Sequence, residues 1–476
     1  APPAAAAARV PRRRPRRGHT RATAALRGGG DGEGKAHTSE EAGFPKQSPQ
    51  QTAAQASTLA LLFTSYSAVY FSRKPLSVVK SALQDNAGIS TATLGALDTA
   101  FLAAYAVGQL TLPALGARYG NKRMLVVSLA VTGVCAMAFG YIEAAWAMVA
   151  VWALCGFAQS PAYPLHVATL SPWFPPWRRG TAMGVWATSQ QVGGVMSTAV
   201  AAFLMGAVGH RYALSMPATL TLAAAAALAV GLREFPTDAN CPTYGGAKVS
   251  VNKRGLAEED AGVSWREVLE IPRMKALMAS YFCVKIVRYT LIFWLPFFLV
   301  RHCGMEAAVA GYMSCAFDVG GIAGGLATGV LCDRYFRGRR TQLGAYMCVF
   351  LAVVMAGYVH LSTMGANLNM AAMALIGFLV SGPDALLGSA AIADTCEDAG
   401  YGQEVLSTAG GLVNGMGSLG AVLQGALTAY IAQEHGWGAL FACLTVLSLA
   451  SVACLQAATP PRVERGRFNW STVSPF

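Results

Sequence analysis

The sequence predicts an all-α membrane protein: twelve transmembrane helices in two pseudo-symmetric six-helix bundles. Three observations carry this. The chain is 54% hydrophobic and 13% charged, where soluble domains carry about 25% charged residues. It contains twelve apolar runs, each long enough at about 1.5 Å per residue to cross a bilayer core of about 30 Å. A polar pattern in the first run returns, in outline, 215 positions later in the seventh.

In chain order, residues 1–56 form a basic leader without an apolar run, expected to be disordered. Eight arginines, from Arg9 to Arg27, precede the first acid, Asp31. An Arg-rich, acid-poor leader reads as an organelle transit peptide; a disordered tail of biased composition accounts for the same residues. Six runs follow near 57–83, 93–114, 124–142, 146–169, 180–208 and 212–232. A polar linker, 233–273, separates them from runs near 274–300, 308–332, 342–361, 369–393, 405–432 and 437–457, and a tail covers 458–476. Arg118, Lys122, Arg123, Arg178, Arg179, Arg334, Arg337, Arg339 and Arg340 fall in the loops after runs 2, 4 and 8. Positive charge marks the cytosol-equivalent side, so both termini and the linker belong there.

The charge balance excludes several function classes. Of the net charge of +12, the first 50 residues supply half, with ten Lys/Arg against four acids. The basic character is therefore a leader and membrane-side loops, and gives no reason to expect a nucleic-acid partner. The eleven cysteines include no C-x-x-C pair, so neither a metal site nor a disulfide framework is expected. No paired-carboxylate or nucleophile–base constellation supports an enzyme, and no cofactor is expected.

The first run carries the chemistry. Tyr66, Tyr70, Arg73, Ser77 and Lys80 are spaced 4, 3, 4 and 3 apart, which makes one polar stripe on a helix. A charge at the bilayer centre costs roughly 3 kcal/mol or more, so it faces a cavity or a partner. The plain alternative is a structural arginine neutralised by a neighbouring acid. Tyr281, Lys285 and Arg288 repeat the spacing of Tyr66, Tyr70 and Arg73. Arg118 and Arg334, in similar basic loops, lie 216 apart, and Gly156-Phe157 echoes Gly377-Phe378. An internal repeat of this length is a common plan among transporters.

The loop from Gly329 through Asp333 and Arg334 to Arg340 resembles the conserved G-x-x-x-D-R-x-G-R-R loop of the major facilitator superfamily. The first copy has Ala117 in place of the aspartate. Within that superfamily the chain resembles the organophosphate:phosphate antiporters, in the branch of sugar-phosphate exchangers and glycerol-3-phosphate transporters. The resemblance lies in SRKPLSVVKS (72–81), LDTAFLAAYAVGQ (97–109), Trp173-Phe174, Arg179-Gly180, Gly184 to Trp186, FWLPF (293–297), FDVGGI (317–322), Leu406 to Thr408 and NGMGSLG (414–420). It departs at Gln109 and Gln190, where bacterial glycerol-phosphate relatives use a lysine and a histidine, and in its short first loop.

The resemblance implies a major facilitator fold and exchange of inorganic phosphate for a sugar phosphate or glycerol 3-phosphate. A sensor that binds organophosphate without turnover is the alternative on the same fold. Arg73 and Arg288 are expected to clamp one phosphate bidentately. Lys285 and Lys80 are expected to add field or touch the rest of the ligand. Tyr66, Tyr70 and Tyr281 are expected as hydrogen-bond donors or stacking surfaces, with packing the alternative for each. Arg118, Asp333 and Arg334 are the gating-loop candidates. Asp318 is expected as the charge partner of a cation such as Lys285, with a proton site the alternative, and Lys74 is expected to snorkel or pair with a neighbour. The expected partners are the organophosphate, inorganic phosphate and the lipid bilayer, for a monomer. The expected home is an organelle (plastid) envelope, with the endoplasmic reticulum the alternative.

Overall fold

The computed structural model describes residues 48–239, 265–336, 339–401 and 403–459. Most of the basic leader, the middle of the linker and nearly all of the C-terminal tail therefore lie outside the described residues. Within them the chain folds into twelve membrane-length helical segments. The first, α1, runs Pro49–Arg73 and continues as Pro75–Ala87; α2 is Thr91–Thr111 with Pro113–Tyr119; α3 is Asn121–Phe139. Next come α4 (Ala145–Gln159 with Ala162–Leu170), α5 (Pro176–Ala187 with Ser189–Val208) and α6 (His210–Gly231). The second half holds α7 (Met274–Cys303), α8 (Ala307–Tyr335) and α9 (Arg340–Leu361). It ends with α10 (Ala366–Ala385, a π turn Leu386–Ala390, then Ala391–Asp398), α11 (Gln403–Glu434) and α12 (Gly436–Ala458). Among the described residues, nine helices are long and apolar enough to cross a bilayer on composition alone. The other segments, α1, α2 and α11, border the interface between the halves.

Two details differ from the sequence expectation. Helix α1 begins at Pro49, upstream of 57, because Ser48 and Gln51 form a reciprocal capping box and Pro49 opens the first turn. It is also interrupted at Lys74, since Pro75 brings no N–H for the Phe71 carbonyl.

The packing follows the repeat. In one half α2 lies against α4, α3 against α6 and α1 against α5; in the other α8 lies against α10, α9 against α12 and α7 against α11. The halves meet through α2 with α11 and α5 with α8, and the second part of α1 packs on α7. Lipid tails give helices little hydrophobic reason to associate, so close backbone approach matters. A Cβ on Gly156 of α4 would sit 2.3 Å from the Phe101 carbonyl of α2; one on Gly377 of α10 would sit 2.0 Å from the Phe317 carbonyl of α8. The paired Gly-Phe motifs are thus the same contact made twice.

One buried apolar cluster crosses between the halves, joining Leu76, Val79, Leu83 and Leu97 to Phe293, Trp294, Phe297, Ala421 and Ala429. Polar links gather there too. Arg301 bonds Asp85 at 2.5 Å and the Ser81 carbonyl at 3.2 Å, and the Ala426 N–H donates to Thr99. These contacts lie at the ends of the helices away from the basic loops.

Candidate functional site

Three helices hold α1 just before its interruption. Thr221 of α6 donates to the Ala68 carbonyl at 2.7 Å, Gln159 of α4 to Val69 at 3.4 Å and Ser197 of α5 to Tyr70 at 2.9 Å. These bonds fix the turn that carries Arg73. In the other half Thr290 of α7 meets Thr428 of α11 at 3.1 Å, and Ser280 of α7 meets Ser451 of α12 at 2.8 Å. They fix the helix that carries Lys285 and Arg288.

Between α1 and α7 lies a central cavity lined by Tyr70, Arg73, Lys74, Gln190, Gln191, Arg288, Tyr289, Phe293 and Asp318, among others. About 40 Å³ of it is open to water. A single water needs about 10–15 Å³ by that measure, so the space suits a few waters.

Arg73 and Arg288 thus face one space from opposite halves, but their settings differ. The Arg73 guanidinium carbon lies 5.1 Å from the ring centre of Phe101, 5.6 Å from Tyr105, 5.7 Å from Tyr289 and 5.4 Å from Phe293. Such faces stabilise a cation by roughly 0.5–2 kcal/mol each, depending on desolvation. Among the described residues no carboxylate lies within ion-pair distance of it. Arg288 is ion-paired to Asp384 Oδ2, and Lys285 Nζ sits 2.8 Å from Asp384 Oδ1. One acid therefore serves two cations. Lys74 Nζ is 2.8 Å from Asp318 Oδ2, an ion pair that joins the halves at the cavity wall.

Several expected residues stand elsewhere than the sequence suggested. Asp318 pairs with Lys74 and not with Lys285; Lys285 is taken by Asp384, which faces it from α10. Lys80 does not line the cavity. It is fully buried, with Nζ 2.5 Å from Asp98 Oδ2 and 4.0 Å from the Trp294 ring centre. The stripe assumed an unbroken helix, and the interruption at Lys74 lies between Arg73 and Lys80. Tyr70 lines the cavity. Tyr66 instead belongs to an aromatic cluster with Tyr163, His166 and Trp186. Tyr281 is buried, with its ring 4.9 Å from the Lys285 ammonium and its hydroxyl beside Gly388 in the π turn of α10. His166, held by Ser65 at 2.9 Å and the Ala162 carbonyl at 2.6 Å, is an internal tie.

Arg118 and Arg334 occupy matching exposed positions, 5.3 Å from the Tyr119 ring and 5.6 Å from the Tyr335 ring. Asp333 lies in the last turn of α8, and its side chain is outside the described part. Where the first loop lacks the aspartate, Glu234 from beyond α6 accepts the Asn121 N–H at 2.7 Å, placing a carboxylate on the N-terminus of α3.

Sequence reasoning missed Tyr289, Gln191 and the pairing role of Asp384. Tyr289 sits between cations of both halves, 5.7 Å from Arg73 and 5.5 Å from Lys285. Its adjacency to Arg288 was the available signal. Gln191 follows Gln190, and its side-chain oxygen is buried without a hydrogen-bond partner among the described residues. Among those residues no cluster of His, Cys, Asp or Glu suited to a metal is found.

The sequence profile of the Major Facilitator Superfamily matches residues 62–410. The chain is 28% identical over 459 residues to the glucose-6-phosphate exchanger SLC37A2 of Bos taurus, covering 83% of this chain and 92% of that one. It is 30% identical over 440 residues to an Arabidopsis thaliana protein described as a glycerol-3-phosphate transporter, covering 83% and 85%. It is 27% identical over 441 residues to sugar phosphate exchanger 3 of Gallus gallus, covering 79% and 86%. Among solved structures, a bacterial homologue of the human lysosomal transporter Spinster superposes with a TM-score of 0.64 at 16% identity, covering 87% and 95%. The nucleoside transporter NupG, as a D323A mutant, superposes with a TM-score of 0.66 at 14% identity, covering 85% and 99%. These two show the fold. Taken with the doubled bundle and the interfacial cavity, the matches establish that the chain belongs to the Major Facilitator Superfamily of membrane transporters, in the branch of sugar-phosphate exchangers and glycerol-3-phosphate transporters, and is not an enzyme.

Proposed function

We propose that this protein exchanges inorganic phosphate for a phosphorylated sugar or three-carbon phosphate by alternating access, at a site built on Arg73 and Arg288. One observation carries the reading. Among the described residues that line the cavity, three cations (Arg73, Lys74 and Arg288) stand against one carboxylate (Asp318), and behind Arg288 the pair Lys285 and Asp384 adds one charge of each sign, which leaves two positive charges in excess. A phosphate monoester carries about −1.5 to −2 at neutral pH. The names of the relatives point the same way: exchangers of glucose 6-phosphate and of sugar phosphate.

In this reading Arg73, with no carboxylate partner among the described residues, is the first grip on the phosphate, and Arg288 closes on it from the other half. Tyr70 completes the polar wall, Lys285 adds field from behind Arg288, and Tyr281 steadies Lys285. The basic loops with Arg118, Asp333 and Arg334 act as gates on the cytosol-equivalent side. The cavity as it stands is too small for a sugar phosphate, so the halves part to admit one. Closing the cavity empty would strip water from the surplus cations at a cost of several kcal/mol. A bound phosphate offsets that cost, which makes the carrier an exchanger. The basic leader supports an organelle envelope as its membrane; imaging a full-length fusion beside one lacking residues 1–47 tests this, and an unchanged location would refute it.

Counterflow in phosphate-loaded proteoliposomes tests the transport reading. Labelled phosphate efflux is expected to require an external phosphate ester and to fall in both Arg73→Lys and Arg288→Lys. Efflux indifferent to both substitutions would place the site elsewhere, and tight ester binding without efflux would favour a sensor.

A further inference from the structure

Two carboxylates, Asp318 at the cavity wall and Asp384 behind Arg288, do different jobs. Asp318 ties one half to the other through Lys74. Asp384 ties two cations of its own half, Lys285 and Arg288, which lie three residues apart on α7 and so present both charges to one acid on α10. The backbone of α10 is unusual where it does this. Pro383 precedes Asp384 inside the helix, and a π turn, Leu386–Ala390, follows at once. Such turns are uncommon and gather at functional positions. Tyr281 of α7 packs against this turn at Gly388, where any Cβ would stand 2.9 Å from its hydroxyl. The register between the acid and its two cations is therefore fixed by packing as well as by charge.

Resting on the exchange reading, we infer that Asp384 is a specificity-determining residue. By joining Lys285 and Arg288 it holds the cavity surplus at two charges, and so selects dianionic phosphate esters over ligands that bear a further carboxylate. Each of these two carboxylates already serves a cation, so removing one raises the local surplus by one. Asp384 is the informative one to remove, because its loss changes the charge without cutting a tie between the halves.

The probes are glycerol 3-phosphate and 3-phosphoglycerate, which share a three-carbon frame and one phosphate and differ by a carboxylate. The measured quantity is the ratio of their counterflow rates into phosphate-loaded proteoliposomes. In Asp384→Asn the preference for 3-phosphoglycerate is expected to rise about tenfold over wild type. Lys285→Gln, which lowers the surplus, is expected to move the ratio the other way. The double variant, back at a surplus of two, is expected to return to the wild-type ratio. Should Asp384→Asn fail to fold, Lys285→Gln and the double variant still carry the test. A wild-type ratio in folded Asp384→Asn, or in Lys285→Gln, would overturn the inference while leaving exchange intact. Absence of exchange by the wild type would remove the exchange reading and this inference with it.

Discussion

Arg73 and Lys80 sit seven residues apart on one sequence stripe, yet they meet opposite environments. Arg73 has four aromatic faces and, among the described residues, no carboxylate. Lysine at that position would keep a charge but lose the planar fork and the stacking. Arg73→Lys is expected to slow counterflow about tenfold to a hundredfold, the worth of a charge-assisted hydrogen bond at ~1.5–3 kcal/mol. Lys80 is neutralised by Asp98 in a fully buried pair. Lys80→Leu leaves that acid buried alone and is expected to cost about 3–5 kcal/mol, visible as a lower unfolding midpoint in detergent. Lys80→Leu with Asp98→Leu should recover most of the loss. A double variant as unstable as the single would mean that Lys80 matters for more than its pairing. The arginines were legible because the repeat displays them twice. The role of Lys80 was not, because its partner comes 18 positions later on another helix and nothing local announces the pair.

Helical elements were legible mainly by length and apolarity, and their interruptions were not. The sequence stripe treats residues 57–83 as one helix, while Pro75 splits it beside Arg73. Nor does apolar patterning reveal the π turn of α10, since hydropathy does not register how a backbone hydrogen bond shifts by one residue. What the sequence did display at this scale was the doubled Gly-Phe motif. Gly156→Ala and Gly377→Ala each push a methyl into a carbonyl of the facing helix. Each is expected to cost about 1–3 kcal/mol of stability, the usual penalty for overpacking. Gly184→Ala, whose Cβ would meet nothing within 4 Å, is the control expected to leave the midpoint near wild type. Equal losses at all three positions would show that the close interhelical approach does not set the effect, since helix propensity alone favours Ala over Gly.

The two-bundle plan was legible in hydropathy and in the 215-residue offset. The conformation was not, because which ends of the halves touch depends on contacts between residues far apart in sequence. The halves are joined by ion pairs of unequal burial, one at the rim away from the basic loops and one at the cavity wall. The side chains of Arg301 and Asp85 are 31% and 55% exposed, those of Lys74 and Asp318 only 7% and 14%. Exposed pairs contribute about 0–1 kcal/mol, whereas leaving one member of a buried pair alone costs about 3–5 kcal/mol. Asp318→Asn is therefore expected to increase labelling of a cysteine placed at Ser81, by a reagent confined to the side away from the basic loops, far more than Arg301→Ala does. The reverse ranking would mean that the rim, not the cavity wall, holds the halves together.

The surplus of two positive charges at the cavity also has an electrical meaning. A carrier holding a dianion moves no net charge in its rocking segment, so a membrane voltage does almost no work on the loaded step in either direction. The same segment empty would carry two charges, and 100 mV acts on each with up to about 2.3 kcal/mol. Exchange would then proceed at the same rate whether or not the organelle or cell maintains a potential across this membrane. A futile empty return would be slowed in the direction in which voltage opposes cations. Such a protein would keep phosphate and phosphate ester in balance across a membrane whose energisation changes from hour to hour.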